Sequence, residues 1–208
     1  MEQQISQQTS YAIIGLGHIG SAIAQAFARQ GIEVTVASRR PAEALAPLAA
    51  KIGSTVVARP MADALDADVI ILAIPFGAYQ DVAKTVPSWQ GKIVIDAMNA
   101  FGVPPEELGG LPSSAALAAA IPGAKVVKAF NHLPAETLAD ESATHGGKRV
   151  IFVSSDDEAA SEEVVNLVDR LGFAPVLLGK LGEGGMLVQA KGETWGRLIF
   201  QDFIKFGD

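Results

Sequence analysis

The run Gly15-Leu16-Gly17-His18-Ile19-Gly20 constrains this chain more than any other feature. It stands between an apolar, strand-like segment, Tyr11-Ala12-Ile13-Ile14, and an Ala-rich stretch at helical spacing, Ser21–Arg29. In that setting each glycine has a separate job. The first permits a tight turn, the second lets a phosphate approach the backbone, and the third lets the helix lie close to the strand. The free N–H groups at a helix start then attract an anion. A Gly-rich turn with no ligand is the plainer alternative. The strand before and the helix after favour a dinucleotide site on Gly15, Leu16, Gly17, His18, Ile19 and Gly20. His18 is assigned no catalytic role.

Two textures alternate along the rest of the chain. Short β-branched runs fall at Tyr11–Gly15, Glu33–Ala37, Thr55–Ala58, Val69–Ile74, Lys92–Asp96, Lys125–Ala129 and Arg149–Ser154. Ala-rich helical stretches lie at Ser21–Arg29, Ala42–Lys51, Tyr79–Val86 and Ser114–Ala120. This alternation predicts an α/β fold of the Rossmann type, with a doubly wound, mainly parallel sheet. After Ser155 the acids Asp156, Asp157 and Glu158 crowd a helix start, where the dipole favours them. Val164, Val165, Leu167, Val168 and Leu171 form its apolar stripe, and Gly172 ends it. A strand at Ala174–Leu178, a flexible loop at Gly179–Gly185 and a closing helix or irregular segment bearing Trp195, Leu198, Ile199, Phe200, Phe203 and Phe206 complete the reading. The expected organisation is a flexible tail at 1–10, a dinucleotide-binding domain at 11–155 and a small C-terminal extension at 156–208 packed on the same unit.

The tip of the second strand bears on which dinucleotide binds. NAD sites carry Asp or Glu about 20 residues after the glycines, to hold the ribose 2′-OH. Here the strand ends Ser38-Arg39-Arg40-Pro41, with no carboxylate. A hydroxyl and two guanidiniums suit a 2′-phosphate through charge-assisted hydrogen bonds, which favours NADP(H) over two merely solvated arginines. Ligands of such sheets lie beyond the carboxyl ends of the strands. Ala73, Ile74 and Pro75 end the fourth strand and Asn99 follows the fifth, so these border the nicotinamide. Asn99 is weighed equally against a turn residue bonding its own backbone, and Asp96 is read as satisfying loop amides. The third edge, Lys128-Ala129-Phe130-Asn131-His132, gathers a cation, two polar groups and an aromatic. His132 and Asn131 are the only catalytic candidates, and a lone histidine is more often structural.

Composition excludes several functions. A net charge of −7 argues against a nucleic-acid partner. No cysteine is present, so thiolate chemistry is absent, and a reducing, cytoplasmic setting fits. No metal site is read. Met1–Ser10 holds four Gln and no base, unlike a signal peptide, and no apolar run is long enough for a membrane span. There is no Tyr-x-x-x-Lys pair, no HExxH and no G-x-S-x-G elbow. Hydride exchange with another redox ring needs little acid–base apparatus, because the cofactors carry that chemistry.

These segments together resemble the NADP-dependent coenzyme F420 (deazaflavin) oxidoreductase family. The likeness is carried by Gly15–Gly20, Ser38-Arg39-Arg40, Ala73-Ile74-Pro75, Lys125–Asn131 and Ser154-Ser155-Asp156-Asp157. Lys-Ala-Phe-Asn at 128–131 is also similar to the NADPH-binding domain of the six-transmembrane metalloreductases. The resemblance implies a homodimer and hydride transfer between NADP(H) and a flavin-like ring. It implies that Ser38, Arg39 and Arg40 hold the 2′-phosphate, that Ile74, Pro75 and Asn99 border the nicotinamide, and that Asn131 borders the acceptor ring. Characterised deazaflavin enzymes carry histidine at the position of Asn131 and a Ser-rich loop at that of Gly179–Gly185, and this chain departs from them at both.

The reading is therefore an NADPH-dependent oxidoreductase acting on a small-molecule acceptor, a flavin, deazaflavin or quinone-like ring. Its competitor is a non-enzymatic NADP(H) sensor or a subunit of a redox complex, with the aromatic tail as interface. A β-hydroxyacid or imine-reducing dehydrogenase shares the N-terminal pattern but adds an all-helical domain, for which only residues 156–208 remain.

Overall fold

β1 (Tyr11–Ile14) is buried along its whole length, with Ile13 facing one side of the sheet and Ala12 and Ile14 the other. That alternation is the two-residue period of a strand covered on both faces. The computed structural model describes residues 9–190 and 203–207. After β1 come α1 (His18–Arg29), β2 (Val34–Ala37), α2 (Ala42–Ile52), β3 (Val56–Ala58), α3 (Met61–Ala64), β4 (Val69–Leu72), α4 (Tyr79–Ala83) and β5 (Ile93–Asp96). The chain continues with α5 (Ser113–Ala120), β6 (Lys125–Ala129), α6 (Ala135–Ala139), β7 (Ala143–Thr144), β8 (Gly147–Ser155), α7 (Glu158–Arg170), β9 (Ala174–Gly179) and β10 (Ile204–Phe206).

Six parallel strands run in the order β3-β2-β1-β4-β5-β6. The order reverses between β1 and β4, which is where a ligand crevice opens in such sheets. β8 joins antiparallel to β6, and β9 lies parallel to β8 with a register shift at Val153/Ser154. One face is packed by α1, α2, α6 and α7 through Ile23, Phe27, Leu45, Leu138, Val164 and Leu167. The other is packed by α3, α4 and α5 through Ala64, Tyr79, Val82 and Leu117. Mainly parallel strands between two helical layers are the expected fold class.

Residues 158–179 supply a helix and a strand to this same sheet, so β8, α7 and β9 are continuous with the nucleotide-binding half. Asp157 caps α7, accepting the Ala160 N–H at 2.8 Å. That bond, with Lys125 nearby, holds its carboxyl below the usual carboxylate range. Gly172 lies at φ +93, and a Cβ there would stand 2.6 Å from Ser142 Oγ, so glycine is required at that helix end.

Four expectations need correction. The N-terminal tail stops short of Ser10, whose N–H and hydroxyl both donate to Asp68 Oδ2 at 2.8 and 2.6 Å; residues 1–8 lie outside the described part. The fourth helix ends at Ala83 rather than Val86, because Pro87 disfavours helical geometry before it. The Gly179–Gly185 loop folds into a turn and a 3-10 helix, Gly184–Val188, anchored by buried Leu181, whose N–H meets Asp156 Oδ1 at 3.2 Å. Near the chain's end, Phe206 lies in a strand antiparallel to β8 rather than in a closing helix or irregular segment. Trp195, Leu198, Ile199 and Phe200 lie outside the described residues.

Candidate dinucleotide-binding site

Gly15 takes φ +101, and its N–H donates to the Ala37 carbonyl at 2.8 Å. A Cβ at this position would overlap the Ala73 carbonyl oxygen and come within 2.8 Å of Ile74 Cγ2. The turn therefore closes directly onto the end of β4. At Gly20 a Cβ would overlap the Gly15 carbonyl oxygen, so only glycine lets α1 start this close to β1. Gly17, the N-cap of α1, meets nothing within 4 Å of a Cβ, and its open side is free for a phosphate. The first turn of α1 carries no acid. Its leading amides have no earlier helical turn to bond, which makes them candidates to hold an anion.

Three of the expected segments meet in one cleft of about 400 Å³. Gly15, Leu16 and Gly17 come from the β1–α1 turn, Ser38, Arg39 and Arg40 from the tip of β2, and Ala73, Ile74 and Pro75 from the end of β4. Ser38 Oγ accepts the Arg40 N–H at 3.0 Å, which fixes the tip. Both guanidiniums are exposed. His18 and Ile19 are not on the lining; His18 is exposed and Ile19 packs on the core. A larger concavity of about 860 Å³, lined by the 143–148 hairpin and residues 205–207, shares no residue with this cleft.

Sequence reasoning missed Met61, Ala78, Asp81 and Val82, which line the same cleft from α3 and α4. α3 is too short to show a helical period, and the spacing at Tyr79–Val86 marks a helix without showing that it faces the cleft. Arg59 lies close by without lining the cleft. This residue follows β3, its N–H donates to the Val36 carbonyl at 3.0 Å, and it stands beside the tip of β2.

Asn99 and Asn131 meet past the ends of β5 and β6. Asn99 Nδ2 donates to the Asn131 carbonyl at 2.8 Å, and Asn131 Nδ2 donates to Asn99 Oδ1 at 3.2 Å and to the Val188 carbonyl at 2.8 Å. Just before Asn131, Phe130 is fully buried at φ +62, a region side chains rarely adopt. Asn131 Oδ1 is buried without a hydrogen-bond partner among the described residues. Lys128, the cation of this edge, does not face solvent. It is buried and paired with Asp96 at 3.1 Å, because a lone ammonium in that position would be strongly destabilising. Asp96 does serve a loop amide, accepting the Met98 N–H at 2.9 Å. His132 is buried too, with Nε2 at 3.1 Å from the Val150 carbonyl and its ring 4.8 Å from that of Phe152.

Sheet order and glycine loop place the chain among the dinucleotide-binding α/β proteins of the Rossmann type. The family model of coenzyme F420-dependent NADP oxidoreductases matches residues 10–100. A hypothetical protein from Sinorhizobium meliloti, SMa0349, is 41% identical, with 95% of this chain and 96% of that chain covered and a TM-score of 0.87. A protein from Arthrobacter sp. FB24, assigned by name to the F420-dependent NADP reductases, is 29% identical over 91% of this chain and 94% of that one, with a TM-score of 0.68. The metalloreductase STEAP2 of Mus musculus is 28% identical over 180 residues, 85% of this chain. The chain spans about a third (34%) of the length of that curated relative. No helix among the described residues is long and apolar enough to cross a membrane.

The residues present fit NADP(H). The open face of Gly17 and the amides of α1 suit a pyrophosphate, and the basic tip of β2 suits a 2′-phosphate. Asn99 and Asn131 are not on the lining of this cleft; past the ends of β5 and β6 the buried Oδ1 of Asn131 lacks a partner among the described residues.

Proposed function

We propose that this protein transfers hydride between NADP(H) and a planar redox ring, a flavin, deazaflavin or quinone-like acceptor. The observation that carries the reading is the single cleft that joins the glycine loop to Ser38, Arg39 and Arg40. NADPH, when bound, supplies the hydride. The amides of α1 neutralise the pyrophosphate, and Arg39 and Arg40 take the 2′-phosphate. Ile74 and Pro75 wall the cleft, and Asn99 and Asn131 orient the nicotinamide end, so that donor and acceptor carbons meet at roughly 3–3.5 Å. The polar groups at this end are two amides and a mutually paired Lys128 and Asp96. Such a set orients rings better than it delivers protons, which suits an acceptor that carries its own proton chemistry.

The test is stopped-flow oxidation of NADPH by wild-type protein against a panel of flavin mononucleotide, a deazaflavin and a soluble quinone. At least one ring should accelerate NADPH loss, with stoichiometric reduction of that ring. Calorimetric binding of NADPH with no turnover of any ring would replace the enzyme reading by that of an NADP(H) sensor.

A further inference from the structure

We propose that the buried Lys128–Asp96 pair is a positioning device for the nicotinamide carboxamide, acting through Met98 on the Asn99–Asn131 amide pair. The proposal rests on the reading that the nicotinamide lies at this edge of the sheet.

Asp96 and Lys128 are register partners on β5 and β6, with exposures of 0% and 4%. Burying two charges is costly, and well-packed apolar residues of the same volume hold a core at least as well. Packing alone therefore does not account for the pair. Its hydrogen bonds do. Asp96 Oδ1 accepts the Met98 N–H at 2.9 Å, and Lys128 Nζ donates to the Met98 carbonyl at 2.6 Å. One loop residue is thus gripped at both backbone polar groups by opposite charges. Asp96 Oδ2 also accepts the Ser114 hydroxyl at 2.7 Å, which ties the grip to α5.

The next residue is Asn99. Fixed behind by Met98, it reaches Asn131, whose approach is set by the left-handed turn at Phe130. Both Asn131 amide hydrogens are spent, on Asn99 and on Val188. Among the described residues, the pair keeps one Asn99 N–H and the Asn131 oxygen for a ligand. One donor beside one acceptor is the complement of a primary carboxamide, which offers an oxygen and an N–H.

The 3-acetylpyridine analogue of NADP⁺ keeps the carbonyl and lacks that N–H, while 2′,5′-ADP lacks the whole nicotinamide half. Calorimetric affinities of NADP⁺, the analogue and 2′,5′-ADP are compared for wild type and for Lys128→Met, which keeps the stem and removes the charge. Wild type should prefer NADP⁺ over the analogue by at least tenfold. Lys128→Met should drop this preference below about threefold and leave 2′,5′-ADP within twofold of wild type. Retained preference, or equal loss of all three ligands, overturns the proposal. Should Lys128→Met fail to fold, Ser114→Ala leaves the charges in place and should lower the preference at least twofold; an unchanged preference overturns the proposal. Wild-type binding without preference sinks the proposal alone. Failure of wild type to bind either NADP⁺ or 2′,5′-ADP sinks the cofactor reading beneath it.

Discussion

Arg39 and Arg40 sit in water, and neither forms an ion pair with a carboxylate among the described residues. A guanidinium so placed loses no existing partner when a phosphate arrives, so its contact with the phosphate adds to affinity. NADH offers a hydroxyl at the same point and gains much less. Replacing both residues by alanine should weaken NADPH relative to NADH by about 1–3 kcal/mol, as for charge-assisted hydrogen bonds. Parallel calorimetric titrations with the two cofactors measure the difference, and equal weakening of both would refute the phosphate clamp. These residues were legible in the sequence because their position is fixed by local spacing from the glycine loop. The Lys128–Asp96 pair was not, since its partners lie 32 residues apart and meet only through strand register. Asp81 was hidden for a related reason: α4 had to be folded against β4 before a carboxylate appeared in the cleft.

Among the elements, α7 shows how far local sequence reaches. Its acidic start, apolar stripe and closing glycine mark both ends, and the helix spans Glu158–Arg170. Strands such as β1 and β4 were equally readable, because they are buried on both faces. β7, α3 and α6 are two to five residues long, too short for any period, and β10 exists only through its pairing with β8. The cap of α7 carries a measurable consequence. Asp157→Ala should cost about 1 kcal/mol at neutral pH, as for other N-caps. The Asp157 carboxyl titrates below the usual range when folded, so the unfolded chain binds its proton first. Its contribution is therefore complete above the unfolded value of about 4 and disappears as pH falls through the lower folded value. Urea unfolding of wild type and Asp157→Asn at several pH values isolates this effect. Asparagine caps as well as aspartate but does not titrate. The two proteins should therefore change their difference only in acid, and a pH-independent difference would refute the assignment.

At the scale of the molecule, β8 decides whether the chain unfolds as one body. Its end at Val153–Ser155 pairs with β6, and its length from Val150 to Ser154 pairs with β9. α7 then returns across the same face as α1 and contributes to the same core. An appended segment would melt by itself and ignore the cofactor. A shared sheet makes both halves melt together, even though the phosphate cleft touches only residues before β5. Calorimetric scanning should therefore show one transition. NADPH at 100 times its dissociation constant adds about 2.7 kcal/mol to the folded state. For a domain of this size that should move the whole transition up by roughly 5–10 °C. Two transitions, one of them indifferent to NADPH, would mean that β8 does not couple the halves, and binding at the glycine loop would then leave the C-terminal strands unstabilised.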